Sequence, residues 1–166
     1  SGAILDAGSF TISTSATNND VASVFMLSDG ATLRTAHPDG ITASTLAGTV
    51  QTCIRNYGSG ANYEYTGTIV QTTGDGLPAN LSATLQINNS AGIGTTGVSL
   101  SQATTITGTL NLALGKLTTT TVNLASIEDG ANVINASSTS FVNGPLKKIG
   151  DEDFTFPVGK GGIYAP

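Results

Sequence analysis

Short runs in which an apolar, a polar and an apolar residue follow one another recur along the second half of the chain. Each run is typical of a short β-strand that places two side chains inward and one outward. The first residues of successive runs lie 13, 12, 12 and 12 positions apart. The runs are Leu85-Gln86-Ile87, Val98-Ser99-Leu100, Leu110-Asn111-Leu112, Val122-Asn123-Leu124 and the weaker Ile134-Asn135-Ala136.

The middle positions of these runs are all small and polar. Side chains of this kind that recur in register can stack as hydrogen-bonded ladders, so we expect one here. The four threonines at 118–121 are β-branched and favour an extended strand with alternating inward and outward positions. The predicted ladder positions are Gln86, Ser99, Asn111, Asn123 and Asn135.

The spacing of the runs predicts the fold class. A step of about 12 residues is too short for a strand, a helix and the connection back to the next strand. Two steps give roughly 24 residues, which suits one turn of a parallel β-solenoid. We therefore predict an all-β chain with almost no α-helix, folded as a right-handed parallel β-helix (β-solenoid), with its hand taken from the crossover rule. The alternative is an antiparallel β-sandwich, because short strands separated by frequent turns suit that fold as well.

The first half of the chain is less regular but contains related segments. "LSDGATL" at 27–33 and "IEDGANV" at 127–133 predict the same turn, in which Asp-Gly is followed by the alanine that begins the next strand. Further strands are predicted within 3–8, 48–54 and 63–72. "SGAN" before Tyr63 and "TGDGLPAN" at 73–80 predict loops that leave the solenoid.

The C-terminal segment predicts a change of structure. Pro145 and Pro157 lack backbone donors, and Lys147 and Lys148 stand opposite the acidic residues at 151–153. Both features are ways in which a sheet edge is protected from further pairing. We predict a solenoid over residues 1–144 and, over 145–166, either a cap or the start of a following module.

Three segments carry a resemblance to a known family: residues 29–67, 85–125 and 141–166. They are similar to the threonine- and asparagine-rich β-helix repeat modules of large bacterial surface and secreted proteins. Proteins of this kind are exported by the type IX system of gliding bacteria and their relatives. The specific part is the boundary motif "VNGPLKK…FTFPVG" at 142–159. The resemblance implies a right-handed parallel β-helix that lies outside the cell within a longer polypeptide, and it supplies no catalytic residues.

Composition and charge narrow the range of partners. Only 10% of the residues are charged, the net charge is −5, and the six basic residues are scattered. The lack of a concentrated positive charge argues against binding to nucleic acid or to anionic lipid. No apolar run approaches the ~20 residues that a membrane span needs. We expect neighbouring modules of the same polypeptide as partners, with surface polysaccharide or like subunits as further candidates. The absence of a signal peptide and the start at Ser1 favour a processed product or a piece of a longer chain.

The distribution of acidic residues argues against catalysis. A polysaccharide-active β-helix enzyme needs two or more carboxylates close together, and no acidic residue occurs between Asp75 and Glu128. His37 is predicted to lie exposed in a Pro-Asp-Gly turn, and Cys53 to be a small half-buried side chain. One histidine and one cysteine cannot form a zinc site. We therefore expect no enzyme activity and no cofactor.

Two sets of residues remain as candidate ligand contacts. Tyr57, Tyr63 and Tyr65 could stack against a carbohydrate; Tyr63 and Tyr65 share one face of a strand, which we favour as core. Oxygen ligands for calcium could come from Asp75 in "TGDGLP" and from Asp151 and Asp153 in "GDED", although neither segment matches an EF-hand or a nonapeptide calcium repeat.

Taken together, these patterns favour a non-catalytic structural or adhesive module of an extracellular bacterial surface protein, such as a stalk, an adhesin segment or a surface-layer segment. The alternative is a carbohydrate-binding module within an adhesin, with the tyrosines or the 73–80 segment as contacts. Less favoured are a polysaccharide-active β-helix enzyme and an ice-binding solenoid. The latter would use Thr95, Thr107 and Thr119, which recur every 12 residues in a column that is interrupted at Ser82 and Ala131.

Overall fold

The computed structural model describes residues 2–13, 23–44, 46–94 and 96–166. Within these residues the regular structure is almost entirely β-strand, and the single helix is a 3₁₀-helix at Ser90–Ile93. The prediction of an all-β chain with almost no α-helix is confirmed.

The described strands form three larger sheets and one strand pair. Sheet I contains β1 (Ile4–Asp6), β3 (Thr32–Thr35), β5 (Asn62–Tyr65), β8 (Thr84–Asn88), β11 (Thr109–Leu114) and β14 (Asn132–Ile134). Sheet II contains β6 (Gln71–Thr72), β9 (Val98–Ser99), β12 (Leu117–Thr118), β15 (Val142–Asn143), β17 (Val158–Lys160) and β18 (Ile163–Tyr164). Sheet III contains β7 (Asn80–Leu81), β10 (Thr104–Ile106), β13 (Ala125–Ile127) and β16 (Leu146–Lys148), and the separate pair is β2 (Val24–Leu27) with β4 (Ile54–Tyr57).

Nearly all strand pairing in the described part of the chain is parallel. The exceptions there are the β17–β18 hairpin and an isolated bridge between Ser137 and Ser140. An antiparallel sandwich would join sequence neighbours within one sheet, whereas here each strand pairs with strands more than 15 residues away, apart from that hairpin. The antiparallel-sandwich alternative is therefore wrong.

The chain visits the three sheets in a repeating order. From β5 to β16 it passes repeatedly through sheet I, sheet II and sheet III, and each return to sheet I is beside the strand that it left. We call one such passage a circuit. The facing residues Gln86, Asn111 and Asn135 show its length, since consecutive members are 25 and 24 residues apart. A repeat of about 24 residues is thus present, although it is not divided into two equal steps of 12.

Three of the five predicted strand runs are confirmed, and two are wrong. Residues 85–87, 98–100 and 110–112 each alternate buried, half-buried and buried positions. Val122 is 79% exposed and lies in a turn closed by a hydrogen bond from Thr120 N to Asn123 O, so Leu117 takes the place beside Val98 instead. The run at 134–136 ends early, because Asn135 adopts a left-handed backbone conformation with φ of 63°.

The threonine run and two predicted loops also differ from expectation. Of the threonines at 118–121, Thr118 alone belongs to a strand, because the chain turns after Thr119. Residues 73–79 form a loop, as predicted, but the loop packs against the core instead of leaving it: Leu77 is buried, and Gly76 N donates to Ile41 O. "SGAN" forms a tight turn between β4 and β5.

The related motifs at 27–33 and 127–133 form the predicted common turn. Ala31 N donates to Ser28 O and Ala131 N to Glu128 O, each at 3.1 Å. Gly30 and Gly130 both have positive φ, 78° and 70°, which glycine adopts without steric cost. We call these turns, together with the similar one at 58–61, the corner turns, because each leads into a strand of sheet I.

The core consists of columns of inward side chains that cross the circuits. In sheet I, Leu33, Tyr63, Leu85 and Leu110 are paired in register and are each at most 2% exposed. This inner column continues to Leu5 at one end and to Val133 at the other. Burying such side chains contributes roughly 1.5–3 kcal/mol each, but only where an adjacent circuit covers them.

One pair of amide side chains lies within the core. Gln71 occupies the inward column of sheet II that Val98 continues, and both Gln71 and Asn89 are fully buried. Gln71 Oε1 accepts hydrogen bonds from Gly67 N and Asn89 Nδ2, while Gln71 Nε2 donates to Thr35 O and His37 O. The buried amides are thus satisfied by groups from three successive circuits.

The parallel pairing continues beyond residue 144. β16 extends sheet III by pairing with β13, and β17 extends sheet II by pairing with β15. Between them, residues 149–157 cross from the corner beside Gly130 to sheet II, where Pro157 O accepts a hydrogen bond from Val142 N. The last circuit therefore includes the segment predicted as a cap or the start of a following module.

Candidate functional site

The outward face of sheet I carries a continuous line of polar side chains, which we call the polar column. Its members are paired one above the other, because they occupy equivalent outward positions of adjacent parallel strands. Asp6 faces Arg34, Arg34 faces Glu64, and Glu64 faces Gln86. The line continues through Asn111 to Asn135, which follows the last paired residue of β14.

The charged end of the polar column is an ion-pair network. Arg34 Nε donates to Glu64 Oε2 at 2.6 Å, and Arg34 Nη1 lies 4.0 Å from Asp6 Oδ2. Asn88 Nδ2 donates to the other oxygen of Glu64 at 3.1 Å, and only 10% of the Glu64 side chain is exposed. The hydrogen bond and charge of Glu64 raise the pKa of Arg34, so the guanidinium stays charged.

The other end of the polar column is a ladder of amides. Asn111 Nδ2 donates to Gln86 Oε1 at 2.7 Å, and Asn135 Nδ2 donates to Asn111 Oδ1 at 2.8 Å. The predicted ladder is therefore confirmed for these three residues. Ser99 and Asn123 lie elsewhere, because Ser99 belongs to sheet II and Asn123 to the turn after Thr120.

A shallow concavity of about 210 Å³ lies beside the ion-pair network on the same face. Ile4 and Tyr63 contribute to its lining. The other lining residues carry hydroxyl, amide or charged groups and are Thr32, Arg34, Asn62, Glu64, Thr84 and Gln86. These groups could form hydrogen bonds to a neutral polar ligand. The one cation and the nearby carboxylates of Asp6 and Glu64 leave no excess of positive charge for an anion.

The candidate tyrosines do not form an exposed aromatic surface. Tyr63 and Tyr65 are 2% and 0% exposed, and their hydroxyls donate to Gly58 O and Thr73 O at 2.7 Å. Burial raises the pKa of both hydroxyls. Tyr57 is half-buried against Phe25, and burial raises its pKa to about 12. The core interpretation is confirmed for Tyr63 and Tyr65.

Acidic residues converge at a corner near the C-terminal end of the sheets. Asp129, Asp151 and Glu152 are exposed, and each offers an oxygen within 4.8 Å of the others. Lys148 Nζ already binds Glu152 Oε1 at 2.5 Å, and Gly130 N donates to the same oxygen. The hydrogen bond from Lys148 is the main cause that lowers the pKa of Glu152 to about 2.

The calcium candidates are therefore only partly brought together. Asp151 belongs to this acidic corner, whereas Asp153 lines an adjoining cleft of about 530 Å³. Asp75 lies apart, where its carboxylate accepts a hydrogen bond from Ala43 N at 2.9 Å. This convergence was not predicted from the sequence, because Asp129 precedes Asp151 by almost one circuit.

The remaining candidate residues are separated as well. His37 lies in its predicted turn, but its side chain is only 17% exposed and accepts a hydrogen bond from Asp39 N through Nδ1. Cys53 is exposed rather than half-buried. The proposed ice-binding column is not formed: Ser82 and Thr107 are exposed, Thr119 and Ala131 are buried, and Thr95 lies outside the described residues.

No helix in the described ranges is long and apolar enough to cross a membrane. Comparison of the chain with known protein families, with curated proteins and with solved structures found no match.

Proposed function

We propose that this chain is a right-handed parallel β-helix that serves as a non-catalytic structural or adhesive module of an extracellular bacterial surface protein. The β-helix is supported by the fixed order in which the chain visits sheets I, II and III, and by the register of the inner column across the circuits. A right-handed path is the general rule for parallel crossovers.

The polar column is the observation that carries the structural role. Its side chains bond mainly to one another across circuits, as Arg34 does to Glu64 and Asn111 to Gln86. Groups used in this way strengthen the stack and leave few donors or acceptors for chemistry on a substrate. The extracellular location rests on the resemblance of the 142–159 motif to bacterial surface modules.

The runner-up is a carbohydrate-binding module. It is favoured by the concavity beside Arg34, where Asn62 and Gln86 add amide groups to the exposed face of sheet I. The carbohydrate-binding function is less favoured because the concavity exposes no aromatic ring on which a sugar could stack, since the ring of Tyr63 is buried.

A polysaccharide-array screen of the purified chain, with and without calcium, tests both functions. The structural role predicts neither saturable binding nor turnover from a sample whose far-UV circular dichroism shows β-structure. Binding that is lost in Asn62→Ala or Gln86→Ala, but kept in the outward sheet III control Ser126→Ala, would establish the carbohydrate-binding module instead. Turnover lost in Glu64→Gln would contradict both and identify an enzyme.

The location has its own test. Brief protease treatment of intact cells of the source bacterium should remove the protein if it is displayed at the surface. Protection in intact cells, followed by digestion after lysis, would contradict the extracellular assignment.

A further inference from the structure

The boundary motif contains the one asparagine of the sequence that is followed directly by glycine, Asn143–Gly144. Each other asparagine precedes a residue that has a side chain. Such a side chain hinders attack of the following backbone nitrogen on the asparagine amide carbon, whereas glycine leaves that approach open. Asn143 is therefore the asparagine that is chemically best placed to react with its own main chain.

The structure itself requires this pair of residues. Gly144 has a φ of 138°, and a methyl group on it would lie 2.4 Å from Thr119 O, so residue 144 must be glycine. Asn143 Nδ2 donates to Thr118 Oγ1 at 3.3 Å, and Asn143 Oδ1 accepts a hydrogen bond from Gly161 N at 3.0 Å. The side-chain amide of Asn143 thus joins β12 to the turn between β17 and β18.

The same contacts keep the reacting atoms apart in the folded chain. Asn143 lies in β15, in register with Thr118 of β12 and with Gly159 of β17. Because β15 is paired on both sides, its main chain is extended at Asn143, and both ends of the amide are held by neighbours. Attack requires the nitrogen of Gly144 to approach the amide carbon closely and in line. Strand β15 must therefore leave β12 and β17 before the reaction can occur.

We propose that Asn143 is a site of covalent self-modification, which the pairing of β15 suppresses and which proceeds when β15 is released. The backbone nitrogen of Gly144 gives up its proton and attacks Asn143 Cγ. The new C–N bond closes a cyclic imide, the bond from Cγ to Nδ2 breaks, and Nδ2 leaves with that proton as ammonia. Water then opens the imide. Cleavage of the new C–N bond yields aspartate, whereas cleavage of the original peptide bond yields isoaspartate.

The two products have different consequences for the fold. Aspartate leaves the main chain unchanged, and its carboxylate can still accept the hydrogen bond from Gly161 N. Isoaspartate carries the main chain through the former side chain and adds a methylene group to it. The residues that follow position 143 are then out of register with β12 and β17. Formation of isoaspartate thus makes a temporary release of β15 permanent.

Site-resolved mass spectrometry of the full-length chain tests this inference. Samples are kept in a warm, mildly alkaline buffer with and without urea, and the tryptic peptide 117–147 is fragmented to locate each deamidated asparagine. In urea, Asn143 should lose its amide well before Asn123, Asn132 and Asn135 of the same peptide. Without urea, the rate at Asn143 should be at least about tenfold lower, because only the opened fraction reacts. Equal rates with and without urea, or no preference for Asn143 in urea, would overturn the inference.

A matched pair of variants tests whether β15 controls the reaction. Val142 is fully buried in β15, so Val142→Ala removes packing that holds the strand, whereas Val122→Ala makes the same change in an exposed turn. Without urea, V142A should lose the Asn143 amide several-fold faster than the wild type, and V122A should match the wild type. A folded V142A that reacts at the wild-type rate would contradict the proposed control.

A urea series on the wild type keeps the inference testable if V142A loses its β-sheet circular dichroism. The rate at Asn143 should rise with the unfolded fraction as the urea concentration increases. A rate that stays constant through the unfolding transition would overturn the inference.

Refolding separates the effect of the added methylene group from that of the new charge. Wild type that has reacted in urea is returned to native buffer and treated briefly with protease. Chains with isoaspartate at position 143 should be cleaved, whereas chains with aspartate there should resist. The variant Asn143→Asp, which carries the charge on an unchanged main chain, should show the circular dichroism of the wild type. Protease resistance of the isoaspartate chains, or an N143D that does not fold, would overturn the proposed effect on β15.

Discussion

The carboxylate of Asp29 and the backbone of Gly60 are packed against each other in adjacent circuits. Asp29 Oδ1 accepts a hydrogen bond from Gly60 N at 2.9 Å. A methyl group on residue 60 would lie 2.7 Å from Asp29 Cγ, well inside van der Waals contact. The two corner turns therefore stack closely because residue 60 has no side chain.

The substitution Gly60→Ala should lower the free energy of unfolding by about 1–3 kcal/mol, because the added methyl group overpacks the corner. Urea unfolding followed by circular dichroism measures this. The same substitution in an Asp29→Ala background should cost less, since the clashing carboxylate is gone. Gly162→Ala is the control, because its added methyl group meets no atom within 4 Å. Equal losses in both backgrounds would mean that the Asp29–Gly60 contact is not the cause.

Leu112 and Val122 test which apolar positions form the core. Leu112 is fully buried, so Leu112→Ala should cost about 2–5 kcal/mol of unfolding free energy. Val122 is 79% exposed in a turn, so Val122→Ala should change it by less than about 0.5 kcal/mol. Chemical denaturation of the two variants side by side provides the comparison. A similar cost for both would restore the predicted strand at 122–124.

The amide ladder should contribute measurably to stability. Asn111→Ala removes the bonds to Gln86 and Asn135 and should cost about 0.5–1.5 kcal/mol. A double-mutant cycle with Gln86→Ala should show a favourable coupling of roughly 0.2–1 kcal/mol. Asn123→Ala is the matched control, since the backbone of Asn123 makes the hydrogen bonds of its turn. Zero coupling between positions 86 and 111 would refute the ladder.

Acid should weaken the hydrogen bonds that hold residues 149–157 beside Lys148. The pKa of Glu152 is lowered to about 2, chiefly by its hydrogen bond from Lys148, from an ordinary value of 4.5. A carboxyl with a lower pKa in the folded state stabilises the fold above pH 4.5, and this contribution disappears as the pH falls to about 2. The difference in urea midpoint between wild type and Glu152→Gln should therefore shrink from pH 6 to pH 2.5. A carbon-13 titration of the Glu152 carboxyl that gives a value near 4.5 would contradict this.

The sequence was sufficient to predict an all-β chain and part of the ladder, because Gln86 and Asn111 stand in the middle of unbroken alternating runs. It failed at Val122, whose flanking residues alternate equally well although the chain turns there. Local polarity cannot distinguish a strand from a turn of the same composition. Leu117 was missed as a strand residue because its strand is only two residues long.

Contacts between distant residues were harder to predict than contacts between near ones. The sequence places Lys147 and Lys148 opposite the acidic residues at 151–153 as charges that protect a sheet edge, and the structure pairs Lys148 with Glu152, four residues away. Arg34 and Glu64 are 30 residues apart, which is the length of the circuit between them. This circuit is longer than those that follow, so the repeat in the second half of the chain does not predict the pair. The tyrosines were ambiguous because a strand face of aromatic residues fits both a core and a binding surface.

The buried amides of Gln71 and Asn89 have a consequence for the way in which the chain finds its pairing. A stack of similar short strands can be misaligned by a whole repeat during folding, since apolar residues meet apolar residues in either arrangement. Gln71 is the polar member of a column that continues with Val98, Leu117 and Val142. Any arrangement displaced by one repeat leaves its amide among those side chains, at a cost of about 1–3 kcal/mol for each unsatisfied group. The Gln71–Asn89 pair therefore favours the native alignment over arrangements that are displaced by one repeat.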